Sequence, residues 1–296
     1  MKKGLFRKSH KLASMAKTLR RNLNLWGYEE VFLPAIEKNN PHLDRGTKFV
    51  HDNDLYIIKP DLTSQILTHA ERSKGLKLFY ISEVLDGGTR GEWQFGIEYI
   101  GGSDISMQVE VLMITISALE ALKVNNFYID IGSLKVWEEA TAEVSDYREQ
   151  IYEGLYKRNF ELISRLPLSK RKEEEIWKLF NYRKRDCDYG RLAKIMDALD
   201  SERVFADFGT VRPYPYYHDI VFEIYSPQYS YPLGAGGEYY FDGSRSFGFA
   251  FNLDVLITKN DFKSDEERKE VSGGLREKYK KAKEIVKNGT PIEVKT

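Results

Sequence analysis

The sequence predicts an α+β fold: a mixed, mostly antiparallel sheet with helices on it, split by a helical insertion. Three observations predict it. Strand-like segments come in adjacent pairs, as in "KLFYISEVL" followed by "EWQFGIEYIGG". Apolar residues at helical spacing lie between the strand-like segments. From about Trp137 to Arg203 the texture changes to charged helical segments such as "SKRKEEEIWKLF", and strands resume afterwards.

Each element follows in order. Leu12, Met15, Leu19 and Leu23 recur at helical spacing up to Gly27, where "YEEVFLPAIE" reads as a strand stopped by Pro34. Leu55 to Ile58 is a short strand, and after Pro60 a helix uses Leu62, Ile66, Leu67 and Ala70. "KLFYISEVL" and "EWQFGIEYIGG" form an antiparallel pair around the flexible "DGGTRG". Ser106 can begin a helix whose stripe is Val109, Leu112, Met113, Ile116 and Leu119, and "FYIDIG" is the next strand. Beyond the insertion, which Pro167 and "RDCDYG" interrupt, Ile220 opens a strand. "GGEYYFDGSRSFGFAFNLDVLI" is a hairpin turning at Asp242 and Gly243, and a charged helix spans about Leu275 to Val286. The expected domains are a core of residues 1–136 and 204–262, an insertion at 137–203, and a C-terminal helix and tail at 263–296.

Composition narrows the function. At 296 residues, 42% hydrophobic and 13% aromatic, the chain can bury a sizeable core. Lys plus Arg and Asp plus Glu are 45 each, so there is no basic excess of the kind that marks a dedicated nucleic-acid binder. Cys187 is the only cysteine, which excludes a disulfide framework and favours an intracellular, cytoplasmic setting. No run approaches ~18 apolar residues, so no membrane span is expected. Residues 2–21 carry eight Lys or Arg and no acid, as transit peptides do, but their helical spacing leads directly into a strand, as a fold's own first helix would.

Motif searches remove several chemistries. There is no P-loop, and "GAGGEYYFDG" leads into a strand rather than a helix, so its glycines read as hairpin geometry or close backbone approach. The five histidines lack metal-ligand spacing, and neither a nucleophile elbow nor a Cys–His pairing is present. No metal and no cofactor are expected. His218 and Asp219 are strand neighbours that point to opposite faces, so they are not a dyad. One constellation stands out. Asp61 and Thr63 open a helix after a strand, Gln94 and Glu98 share a strand face with the small Gly96 between them, and Arg212 and Tyr217 precede the strand at Ile220. Spacing alone leaves two readings open, a polar pocket floor or a Glu98 paired with a surface lysine beside a solvated Gln94.

Several segments resemble the class II aminoacyl-tRNA synthetases, and histidyl-tRNA synthetase in particular. "GYEEVFLPAIE" resembles motif 1, with Pro34 at its proline, and "KPDLT" resembles the segment R-P-E-G-T. "FYISEVL...GEWQFGIEYIGG" is similar to the motif 2 strands, and "VRPYPYYHDIVFE" to the histidine signature V-R-G-L-D-Y-Y-x-x-x-V-F-E. "GGEYYFDG...GFAFNLDVL" resembles the G-G-R-Y-D-G and motif 3 region, so the matches run collinearly from about Leu19 to Leu256 outside the insertion.

The departures are as informative. Where motif 2 carries an arginine for the ATP α-phosphate stands Asp86, and where motif 3 ends in a nucleotide-gripping arginine stands Val255. Losing one such donor typically costs ~3 to 4 kcal/mol of transition-state stabilisation. The chain ends soon after motif 3, so the anticodon-binding domain of the synthetases is expected to be absent. A synthetase core altered in this way resembles the regulatory subunits of ATP phosphoribosyltransferase. That resemblance implies a non-catalytic partner of the short catalytic subunit, working in histidine biosynthesis and binding L-histidine for feedback inhibition. It also implies a homodimer through motif 1 within a hetero-oligomer, a hetero-octamer in the family, and no tRNA partner. Carried onto this sequence, Asp61 and Thr63 take the histidine ammonium with help from Gln94. Glu98 takes the imidazole N–H, Tyr217 closes over the ring, Tyr239 adds wall, and Arg212 takes the carboxylate. The alternative implied by the same resemblance is an adenylate-forming enzyme, which the retained Arg212 keeps open.

Overall fold

Strands distant in sequence meet in one sheet because most of the chain returns to it repeatedly. The computed structural model describes residues 2–39, 43, 46–58, 61–70, 75–85, 91–102, 104–212, 216–241, 243–259, 262 and 269–294. It divides into two compact units, residues 1–261 and 262–296.

The first unit begins with α1 (Lys2–Leu25), whose Met15, Leu19 and Leu23 form the buried stripe, and the turn after it places Gly27 at a left-handed φ of +76°. The expected strand "YEEVFLPAIE" is mostly not one. Only β1 (Glu29–Glu30) joins the sheet, parallel to Leu78 and Phe79, and Val31 adds one bond to the Phe79 carbonyl at 2.9 Å. Pro34 has no N–H to continue the ladder, and Phe32 is left 80% exposed. The chain moves instead into a separate antiparallel sheet of β2 (Ile36–Lys38), β3 (Thr47–His51) and β4 (Asp54–Ile58). Helix α2 (Leu62–His69) follows, with Asp61 as its N-cap.

Strands β5 (Leu76–Leu85) and β6 (Gly91–Ile100) form the antiparallel pair read from the sequence. Helix α3 (Asp104–Ala121) starts two residues before Ser106. It is buried on more than one side: Val111, Leu112, Ile114, Ala118 and Leu119 are inside, whereas the expected stripe member Met113 is 44% exposed. A single-stripe reading fails for a helix covered on two faces.

After β7 (Tyr128–Ser133) the helical run comprises α4 (Leu134–Thr141), a 3₁₀ turn at Ala142–Tyr147, α5 (Arg148–Tyr156), α6 (Phe160–Ser164) and α7 (Lys170–Phe180). It shares a core with the sheet, where Trp137, Ile151, Leu155, Ile163 and Ile176 pack with Val211 and Val221. The Trp137 indole N–H donates to the Phe208 carbonyl at 2.6 Å. The two-residue β8 (Arg183–Lys184), α8 (Gly190–Leu199) and β9 (Val204–Asp207) complete this region.

Strands β10 (Tyr217–Tyr225), β11 (Gly234–Phe241) and β12 (Ser244–Asn252) return to the sheet, and α9 (Leu253–Lys259) ends the unit's regular structure. The hairpin turn holds Gly243 at φ +76°, while Asp242 lies outside the described residues. Strand order is β1-β5-β6-β12-β11-β10-β7-β9-β8; β1–β5 and β7–β9 are parallel and every other pair is antiparallel. The fold is thus the class II synthetase-like α+β architecture that the sequence predicts. The second unit holds β13 (Lys269–Val271), α10 (Leu275–Lys287) and β14 (Ile292–Val294), its strands pairing in parallel. Among the described residues no helix is long and apolar enough to cross a membrane.

Candidate functional site

The sheet register gathers small residues beside Glu98. Across the register, Glu98 on β6 stands beside Gly248 on β12, and Gly248 beside Gly237 on β11; Gly96 pairs with Ala250, and Ala250 with Ala235. A cavity of about 560 Å3 lies over this floor. All seven residues singled out in the sequence, Asp61, Thr63, Gln94, Glu98, Arg212, Tyr217 and Tyr239, line it.

The glycines do specific work. A Cβ on Gly248 would lie 2.0 Å from Glu98 Oε2 and 2.6 Å from the Ile97 carbonyl oxygen, so only glycine leaves space for the buried carboxylate. Gly96, between Gln94 and Glu98, does not leave an open gap. The Tyr80 ring occupies it, since a Cβ there would be 2.4 Å from the Tyr80 hydroxyl. On β10 a bulge lies between Tyr217 and Val221, and Tyr217 faces the cavity against Gly237.

Glu98 is the electrostatic centre. Only 2% exposed, it accepts from the Thr63 hydroxyl at 2.5 Å on one oxygen and from the Tyr239 hydroxyl at 2.7 Å on the other. Burial pushes its carboxyl up to about 7, the two hydroxyl donors oppose that rise, and the nearby Asp61 charge adds to it. The Glu98 reading with a surface lysine is therefore excluded. Burial likewise raises the Tyr217 and Tyr239 hydroxyls above the ordinary tyrosine range. Asp61 is engaged in capping: its carboxylate accepts from the Thr63 backbone N–H at 3.2 Å and the Ser64 hydroxyl at 2.5 Å. Arg212, among the described lining residues the only cation, donates through Nη1 to Glu223.

Sequence reading missed part of the wall. Tyr216, to which sequence reading gave no site role, lines the cavity, with its ring centroid 4.7 Å from that of Tyr217. Tyr80 and Asn252 line it as well, and no spacing signal marked them. His218 packs edge-on against Tyr240, while Asp219 accepts from the Ser133 hydroxyl and pairs with Arg191, so the two point apart as expected. Pro213, Tyr214 and Pro215 lie outside the described residues, as do Asp86 and the Lys59–Pro60 pair of "KPDLT". Val255 is on α9, its backbone N–H bonded to Asn252 Oδ1 at 3.1 Å.

The family model described as histidyl-tRNA synthetase matches residues 2–186 and 181–256. The chain belongs to the histidyl-tRNA synthetase family. Within it, the chain is similar to a protein of Geobacillus thermodenitrificans named ATP phosphoribosyltransferase regulatory subunit, 25% identical over 298 residues, 81% of this chain and 74% of the relative. Among solved structures it is similar to an ATP phosphoribosyltransferase regulatory subunit/histidyl-tRNA synthetase from Bacillus halodurans, with a TM-score of 0.77 at 21% identity, covering 96% of this chain and 88% of the other. It is also similar to a chain of the ATP phosphoribosyl transferase (HisG:HisZ) complex from Thermotoga maritima, with a TM-score of 0.68 at 22% identity, covering 81% and 96%. At these identities the structural matches carry the fold.

Proposed function

We propose that this member of the histidyl-tRNA synthetase family is a non-catalytic regulatory subunit of ATP phosphoribosyltransferase, and that its cavity binds free L-histidine as the feedback signal. The observation that carries the reading is the charge balance of the cavity. Two carboxylates, Asp61 and the buried Glu98, face one guanidinium that Glu223 already engages. Such a site suits a small ligand bearing an ammonium and an N–H donor, and it disfavours a triphosphate. The imidazole N–H of histidine reaches the Glu98 carboxylate, whose cost of burial it offsets. Asp61, Thr63 and Gln94 take the ammonium, Tyr217 covers the ring beside Tyr239, and Arg212 takes the carboxylate. The names of the curated relatives support the regulatory assignment, and the Thermotoga complex supports a catalytic subunit as partner. In this reading the chain pairs with the short-form catalytic subunit as a homodimer within a hetero-octamer, and histidine biases that assembly through its differential affinity for two states.

A second reading, an adenylate-forming enzyme, is favoured by the synthetase family model and by Arg212 at the cavity. One pair of assays separates them. L-Histidine titrated calorimetrically into the full-length chain with the short-form catalytic subunit binds to wild type and far more weakly to Glu98→Gln. Histidine-dependent ATP–pyrophosphate exchange by the chain would overturn the non-catalytic reading in favour of the second.

A further inference from the structure

The cation of the cavity is held by the carboxylate that closes the segment "VRPYPYYHDIVFE", to which sequence reading gave no role. Glu223 stands on β10 opposite Ala235 of β11, itself a lining residue, and opposite Asp130 of β7. One Glu223 oxygen accepts from Arg212 Nη1 and the other from the Tyr225 hydroxyl, so its carboxylate is pinned from two sides. The Arg212 and Glu223 side chains are 20% and 14% exposed, which weakens solvent screening between them. The backbone that delivers Arg212 is fixed too. Arg158, in the turn two residues past α5, donates to Thr210 Oγ1 at 3.0 Å and pairs with Asp207 at 3.4 Å. A Cβ on Gly132 would lie 2.1 Å from the Thr210 carbonyl oxygen, so this segment sits directly against β7.

An arginine on a free stem would lose side-chain entropy on gripping a ligand, whereas one whose guanidinium plane is already set loses little. We infer that Glu223 is the positioning residue for the ligand's carboxylate, holding Arg212 at the cavity so that the site selects an α-amino acid over an amino alcohol with the same side chain. The inference deepens the histidine reading and rests on it. A purely structural Glu223 would affect the two ligands alike; a positioning Glu223 affects only the one that carries a carboxylate.

Calorimetry on the full-length chain with its catalytic subunit, using L-histidine and L-histidinol, reads the difference. Wild type is expected to prefer L-histidine by at least about tenfold, the scale of one charge-assisted hydrogen bond. Glu223→Gln is expected to shrink that preference to within about threefold by weakening L-histidine while leaving L-histidinol within about twofold. Glu223→Asp, which keeps the charge one methylene short of Arg212, shifts the preference the same way and serves where Glu223→Gln does not fold. An unchanged preference in either folded variant, or an equal loss of both ligands, overturns the inference while the histidine reading stands. Wild type binding neither compound removes the histidine reading and the inference with it.

Discussion

Replacing Glu98 with glutamine should make the ligand-free protein more stable above neutral pH while weakening its binding of L-histidine. Glu98 is buried, and its carboxyl is raised from the ordinary 4.5 to about 7. Below pH 4.5 both the folded and unfolded chains carry it protonated, and it costs nothing. Between 4.5 and about 7 the unfolded chain ionises while the folded one holds its proton, so stability falls as pH rises; above about 7 the loss is complete. At 1.36 kcal/mol for each tenfold step, that loss is about 3 kcal/mol. Glutamine escapes it and still meets the Thr63 and Tyr239 hydroxyls, which can donate to its carbonyl oxygen or accept from its amide. Urea unfolding of both proteins at pH 5 and pH 8 measures the effect. The variant's advantage should be about 3 kcal/mol at pH 8 and much smaller at pH 5. A wild type whose stability does not fall over this range, or a variant less stable at pH 8, would refute the electrostatic reasoning.

Other consequences follow from the same geometry. A ligand N–H that holds Glu98 ionised must expel its proton, so L-histidine binding near pH 7 should release about half a proton. Binding enthalpies in Tris and phosphate would then differ, and equal enthalpies would contradict it. Gly248→Ala forces a methyl group 2.0 Å from Glu98 Oε2; it should eliminate L-histidine binding by calorimetry and cost about 1–3 kcal/mol in a denaturant melt. Trp137→Ala empties the core shared by the helical run and the sheet and leaves the Phe208 carbonyl unpaired, which should cost about 3–5 kcal/mol in the same melt.

The fold was legible where local pattern decides it. The β5–β6 pair, the β11–β12 hairpin and α1 each carry a strong periodicity, and the structure places them as read. Motif 1 was misread as a full strand because its alternation is real, while the decision to leave the sheet depends on Pro34 and on the separate sheet that receives the chain at β2. Met113 was misplaced because α3 is covered on more than one side, which no single stripe reveals. At the site, some of the residues that carry charge or a hydroxyl within a motif were found. Others were not, because their partners lie on other segments: Tyr80 fills the space at Gly96, Gly248 seats Glu98, and Glu223 of β10 engages Arg212, which precedes that strand. Cross-strand partners are set by tertiary pairing, and neither residue of such a pair signals the other in sequence.

If the chain senses histidine on behalf of a catalytic partner, loss of the Glu98 carboxylate uncouples the two. Steady-state phosphoribosyl transfer by the short-form catalytic subunit, reconstituted with wild type or Glu98→Gln and titrated with L-histidine, tests it most directly. Both should support activity, wild type should lose it as L-histidine rises, and Glu98→Gln should stay active at the concentrations that silence wild type. A catalytic subunit indifferent to the chain, or inhibition that is the same with Glu98→Gln as with wild type, would contradict it.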